Sequence, residues 1–343
     1  VPAGRIDVHA HYLGPAYVEA LHARDTYLIG GIPIPGWSPE LALEFMDDHG
    51  IEFQMLSVSD PGVGFLEGDR AIALARACNE YVADVIRERP ERFGAFAVLP
   101  LPDVEAARAE VAYCLDELGH SGIGLLSSYG GTYLGDEALE PLLADLDQRG
   151  SWVMVHPTAV DRDARPEFPL PEFVAEYPFD TTRTALSLLL NSSLKRFPRI
   201  RWQLAHGGGV LPMLRARLEA LCAGVEQLGQ VAVDGLGLPE RAAALKAGDA
   251  ADAIAAFFYD TALIADPPAL EALRACAPSG QLMFGSDWPF AARMYPRPGD
   301  PQPALAAVFD THVNEAILRN NAEAQFSPVH GAQRPGSPRP ATS

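Results

Sequence analysis

Two histidines one residue apart, His9 and His11, lie in the run DVHAH near the start of the chain. On an extended strand alternate side chains leave the same face, so this pair presents both imidazoles together. Such a pair suits a borderline divalent cation; the alternative is two solvated histidines in a loop. Three further residues have a comparable setting. His156 ends the apolar run WVMVH just before Pro157, His206 ends RWQLAH just before three glycines, and Asp287 follows the apolar start of LMFGSDWPF. Singly, each could be a core histidine or a helix-capping aspartate. Together they close separate apolar runs in the same way.

The elements that must position these residues follow from the chain's punctuation. Thirty glycines and thirty prolines divide it into short apolar runs and longer amphipathic stretches. The runs at 5–9, 51–58, 93–99, 122–126, 152–156, 201–206, 256–260 and 281–285 have the length of strands buried on both faces. Helical spacing fills 69–89, 103–118, 136–148, 180–196 and 210–221, several of which open on an acidic N-cap. Eight strands alternating with helices predict an α/β fold, a (β/α)8 TIM barrel. An open doubly wound sheet would want a glycine-rich phosphate loop after an early strand, and here the first run leads into HAH instead. GHSGIG at 119–124 misses the GxGxxG spacing. In a barrel, His9 and His11, His156, His206 and Asp287 end strands one, five, six and eight, on the rim where barrel enzymes build their sites. The expected organisation is one domain over 1–326 with long loops at 12–40 and 158–178, after strands one and five. A small, polar, proline-rich tail at 327–343 is expected to be disordered.

Composition narrows the function. The 343 residues are 48% hydrophobic and 21% charged, a globular mixture, and no window approaches a membrane span. The formal net charge of -19 repels phosphate backbones and excludes nucleic acid as a natural partner. Cys78, Cys114, Cys222 and Cys276 lie far apart without paired spacing, and the first residues lack a basic stretch followed by an apolar run. A reducing, cytoplasmic setting is therefore expected. His22, His49, His120, His312 and His330 lack the strand-end placement and read as structural or solvated.

DVHAH, VMVHPT, LAHGGG and MFGSDWPF, in this order and spacing, resemble the amidohydrolase superfamily. The nearer resemblance is to its branch of aminocarboxymuconate-semialdehyde decarboxylases and salicylate-type decarboxylases (6-methylsalicylate, gamma-resorcylate). It runs from Arg5 to Phe326 and includes EYPFDTTR and ILRNNAEAQF. The resemblance implies one divalent metal held by His9, His11, His156 and Asp287, with His206 beside it handling the proton of bound water. It also implies that Arg217 is contributed to a neighbouring subunit's site, hence a homodimer. Strand four ends GIGLLSS without the bridging lysine of binuclear relatives, so a mononuclear site is expected. Histidine-rich ligation suits zinc, with manganese as the alternative in decarboxylases of this type.

Three imidazoles and a carboxylate would leave the cation a net charge of about +1 and an open position for water or a substrate oxygen. The expected activity is non-oxidative decarboxylation of a small aromatic or unsaturated carboxylic acid, with Asp287 as ligand and proton donor and His206 as shuttle. The alternative is hydrolysis of an amide or lactone by the same constellation. HGGG resembles an oxyanion loop, but no GxSxG elbow accompanies it. An anionic substrate in so acidic a chain needs local cations, for which Arg217, Arg183 and Arg293 are candidates. Trp288 and Phe290 could stack on an aromatic ring. Asp260 either orients a ligand histidine or caps the next helix.

Overall fold

The computed structural model describes residues 4–160, 169–296 and 298–326. Eight parallel strands run in chain order around one sheet: β1 Arg5–His11, β2 Ile51–Ser57, β3 Phe93–Val98, β4 Gly122–Leu126, β5 Trp152–His156, β6 Arg201–Leu204, β7 Phe258–Asp260 and β8 Leu282–Met283. β8 returns to β1 through backbone bonds from Val8 N to Phe284 O (2.9 Å) and from His11 N to Trp288 O (2.7 Å), so the sheet closes into the expected barrel. Every residue of β3 and β5 is buried, as strands covered on both faces require.

Helices cover the outside, and their starts follow local chemistry. Asp103 accepts a hydrogen bond from Ala106 N (3.0 Å) and so caps Val104–Ala112, as its position predicts. The helix expected from Asp180 begins earlier, at Glu176, which places Asp180 inside it and buries its carboxylate. The helix expected over 210–221 continues as Leu211–Leu228. A larger core lies between strands and helices. A second cluster, including Ile6, Val8, Met55, Phe96, Trp152 and Met283, is drawn from strands on opposite sides of the barrel and is closed by Phe326 of the last helix.

The segment 12–40 is more ordered than a loop. It holds a helix, Pro15–His22, which buries Tyr17 and Leu21 one turn apart, and a two-strand hairpin, Leu28–Ile29 with Ile32–Pro33. Gly30 and Gly31 turn the hairpin with φ of 57° and 83°, the left-handed conformation that a tight hairpin turn demands. The glycines and prolines there read as irregular chain, whereas the structure uses them as a turn and a helix start. Of the segment 158–178, residues 161–168 lie outside the described residues, as does the tail 327–343.

The three glycines after His206 have a steric cause. All take positive φ (60°, 75° and 65°), and a Cβ on Gly209 would collide with the Pro178 carbonyl oxygen. The motif shapes a turn from β6 into the helix Leu211–Leu228. Gly209→Ala should therefore lower unfolding stability by about 2 kcal/mol or more. Gly224→Ala, on the same helix with open space around it, should raise stability by roughly 0.5–1 kcal/mol. Urea midpoints check both; unchanged stability in Gly209→Ala would refute the steric account.

Candidate metal centre and substrate cavity

The first strand delivers His9 and His11 to the barrel mouth, and its neighbours fix their rings. His9 Nδ1 lies 3.0 Å from Asp260 Oδ2, and His11 Nδ1 lies 3.0 Å from Ser57 Oγ. The Ser57 hydroxyl also donates to Ala10 O (3.2 Å), which leaves its oxygen to accept the His11 proton. His156 Nδ1 donates to the carbonyl of Pro157 at 2.7 Å. Each Nδ1 thus faces a different acceptor, so the neutral ring of each histidine carries its proton there and its lone pair on Nε2.

These lone pairs converge. His9 Nε2 and His11 Nε2 are 3.1 Å apart, and Asp287 Oδ1 is 3.0 Å from His11 Nε2 and 3.6 Å from His9 Nε2. One ligand atom from each of His9, His11, His156 and Asp287 lies within 4.8 Å of all the others, and all four residues are buried. Two acceptor nitrogens facing each other at this distance need a positive charge between them. Burial opposes charge on His9, yet Asp260, Asp287 and Asp7 raise its pKa to about 9. Burial alone would raise the Asp287 carboxyl, but His11, His206 and His9 hold it well below the usual range. The donor set, the tautomers and this demand for positive charge all fit a divalent cation.

His206 stands beside this group. Its ring centroid is 4.9 Å from that of His9, and its Nε2 is buried, without a hydrogen-bond partner, 3.7 Å from Asp287 Oδ2. His206 and Asp287 take φ of 54° and 56°, a left-handed backbone that costs about 1–3 kcal/mol at a non-glycine residue. Asp260 braces the His206 backbone beside the His9 ring. Besides His9, it accepts from His206 N (3.0 Å) and Gln203 Nε2 (3.1 Å), and through Ala262 N (3.2 Å) it also ties down the start of the next segment. Of the two alternatives for Asp260, its contact is with the His9 ring, whereas the next helix, Pro267–Arg274, starts from Asp266. At the end of β4, Ser127 donates to Asp180 and accepts from Thr158 N (2.9 Å), so no amine stands where a bridging lysine would be.

The expected substrate residues divide. Phe290 lines the cavity and packs T-shaped against the His11 ring, with centroids 5.6 Å apart. Arg293 lines its exposed rim. Trp288 does not reach the cavity: it is 4% exposed and stacks on Phe45 at 5.5 Å, because packing against the helix Pro39–Asp48 removes the large ring from water. Arg183 is drawn instead to Asp180, 3.3 Å away. Arg217 is exposed on Leu211–Leu228 and does not line its own chain's cavity. His49 and His120 are buried away from the site, and His330 lies outside the described residues.

Several participants escaped the sequence reading. Asp7 accepts from Gln54, Ser286 and His9, tying β1 to β2 and to the segment carrying Asp287. Asp60 accepts from Thr158 Oγ1 and from Tyr177 OH (2.9 Å), and burial raises its carboxyl to about 6. Tyr177 in turn lines the cavity, edge-on to His156 at 5.8 Å. The turn signal SDPG after β2 marks the rim position of Asp60, but only the fold supplies its partners.

The chain matches the family model described as Amidohydrolase over residues 6–327. It is 34% identical to the 6-methylsalicylic acid decarboxylase acuB of Aspergillus aculeatus over 348 residues, 98% of this chain and 99% of that protein. It is 35% identical to the 6-methylsalicylic acid decarboxylase of Penicillium expansum over 297 residues, 84% of this chain and 85% of that protein. Among solved structures it is similar to one described as an amidohydrolase II, with a TM-score of 0.81, 28% identity, and coverage of 94% of this chain and 99% of the other.

The positioning role of Asp260 predicts that Asp260→Asn weakens metal binding by roughly 10–100-fold while the protein still folds. Competition with a chromophoric chelator, read beside circular dichroism, checks this; unchanged affinity would show that Asp260 serves only its backbone contacts.

Proposed function

Because the chain belongs to the amidohydrolase family, we propose that it is a metal-dependent decarboxylase releasing carbon dioxide, without oxidation, from a small aromatic or unsaturated carboxylic acid of the salicylate type. One observation carries this reading. Three Nε2 lone pairs and the Asp287 carboxylate converge at a cavity of about 180 Å³, in a chain similar over nearly its full length to named decarboxylases. A cavity of about 150 Å³ lined by aliphatic and aromatic side chains holds a benzene ring, so the space suits one ring.

His9, His11, His156 and Asp287 would hold one divalent cation, which supplies Lewis-acid polarisation of the acid's oxygens. Three imidazoles beside a single carboxylate support zinc, with manganese as the alternative. Loss of carbon dioxide from an sp² carbon requires that carbon to take up a proton. The ring–carboxyl bond then breaks, its electron pair returns to the ring, and carbon dioxide leaves. Asp287 delivers this proton. Its carboxyl is ionised at rest, so the proton reaches it from His206, 3.7 Å away, or with the substrate. Phe290 and Tyr177 hold the ring at the cluster, and Arg293 offers a cation at the rim. The exposure of Arg217, outside its own cavity, supports its service to a neighbouring subunit and so a homodimer. Four free cysteines support a reducing, cytoplasmic setting. No described helix is long and apolar enough to cross a membrane.

Release of carbon dioxide from 2-hydroxybenzoates by metal-loaded protein, against a panel of amides and lactones, tests this reading; hydrolysis without decarboxylation would replace it with the hydrolase alternative. Chelation should abolish turnover, and zinc or manganese should restore it. Asp287→Asn should keep the fold and lose activity by about three orders of magnitude or more. Near-normal turnover in that variant would remove Asp287 from the chemistry.

A further inference from the structure

β7 and β8 are the barrel's shortest strands, with three and two residues, yet Asp260 ends one and Asp287 follows the other. Beyond the backbone bond from Thr261 N to Met283 O (3.0 Å), side chains carry the seam between them. Gly285 N donates to Thr261 Oγ1 (3.3 Å), and that hydroxyl donates to Gln302 Oε1 (2.7 Å). Gln302 Nε2 completes the circuit, donating to Gly285 O (2.7 Å) and to Thr261 O (3.3 Å). One buried amide thus replaces the ladder that the two strands stop making. Both of its N–H donors are used and its oxygen accepts, so the two carbonyls and the hydroxyl fix which way the amide faces.

Gly285 is where a displacement of this seam would be felt. A Cβ there would lie 2.8 Å from His9 Cβ and 3.0 Å from Asp260 Cβ. Its backbone is therefore packed against both the histidine and the carboxylate that orients it. Two residues on, Asp287 keeps a left-handed backbone, which persists only where the surroundings over-determine it. Its N–H is held by His9 O (2.7 Å). The two carbonyls before it are taken by side chains from beyond it: Gly285 O by Gln302, and Ser286 O by the Tyr295 hydroxyl. The chain leading to Gln302 is anchored outside this seam. Gln302 N donates to Asp300 Oδ1 (3.0 Å), Asp300 pairs with Arg5 (3.0 Å), and His49 Nδ1 donates to Gly299 O (3.0 Å).

We infer that Gln302 is a positioning residue for the metal-binding cluster: by clamping Gly285 to Thr261 it fixes where Asp287 stands relative to Asp260 and His9. This rests on the reading of the cluster as a metal site and adds to it a residue that acts through Gly285 rather than as a ligand. Groups that orient metal ligands at one remove are worth roughly 10–100-fold in metal affinity or activity.

Gln302→Met keeps the length of the side chain and removes its hydrogen bonds. Zinc affinity of that variant, measured by competition with a chromophoric chelator, should fall by about tenfold or more. The d–d absorption bands of the cobalt-loaded full chain should shift, because ligand geometry sets them. With a 2-hydroxybenzoate that the wild type decarboxylates, kcat should fall by about tenfold or more while KM changes less. Asn321→Ala is the control. Asn321 Nδ2 donates to Leu282 O (2.7 Å) and Ser279 O (2.8 Å) at the other end of β8. Its loss should lower the urea midpoint and leave zinc affinity and cobalt bands as they were. A Gln302→Met protein with a lowered urea midpoint but wild-type zinc affinity and cobalt bands would overturn the inference, as would equal metal effects in Asn321→Ala. Should Gln302→Met not fold, Thr261→Val, which removes only the hydroxyl joining Gly285 N to the same amide, decides by the same two readouts. Absence of carbon dioxide release from every 2-hydroxybenzoate would defeat the decarboxylase reading instead, and zinc affinity and cobalt bands would still judge Gln302.

Discussion

Lone pairs held face to face govern this molecule. The Nε2 atoms of His9 and His11 stand 3.1 Å apart, with Asp287 Oδ1 as close to the second of them, all inside a buried mouth. Acceptors that near repel one another unless a proton or cation lies between them, and burial removes the water that would otherwise relieve them. The surroundings are arranged to sustain the strain. Asp260, Ser57 and the Pro157 carbonyl each take one Nδ1 proton, which orients the rings before any ligand arrives. The left-handed backbone at His206 and Asp287 has the same character: local cost held in place by a rigid frame.

That frame is the barrel's closure. Asp287 N donates to His9 O (2.7 Å), so the last strand's extension is stitched to the first strand beside the histidine pair. Asp7, two residues before His9, ties the same region to Gln54 and Ser286. The metal-binding residues thus inherit their geometry from the hydrogen bonds that close the sheet. Carboxylates near the mouth are engaged rather than bare: Asp180 accepts from Ser127, Tyr133 and Arg183, and Asp60 from Thr158 and Tyr177.

The segments after β1 and β5 have the complementary task. They are joined at Gly30 and Phe173, and their described residues Ile29, Ile32 and Phe173 give the cavity an apolar lining. The histidine–aspartate cluster therefore sits on the rigid strand ends, and the apolar cavity lining on connections whose side chains can change without disturbing the barrel.

The eight apolar runs, the alternation with helices and the strand-end placement of His9, His11, His156, His206 and Asp287 were legible in the chain itself, because period, burial and strand termination are local properties. For Asp260 the sequence left two alternatives, orienting a histidine or capping the next helix, and only the fold brings it to His9 Nδ1. The hairpin at Gly30 and Gly31 was hidden in residues that also make loops, and its order comes from contacts with Tyr177 and the segment around Phe173. Trp288 and Arg183 looked like substrate contacts because residue type and rim position are local; Phe45 and Asp180, far away in sequence, decided otherwise. Asp7 and Asp60 were unreadable for the same reason, since their partners come from other strands and helices. Local pattern determined which residues could ligate a cation, and tertiary packing alone decided which polar groups were already engaged and which remained free for a substrate.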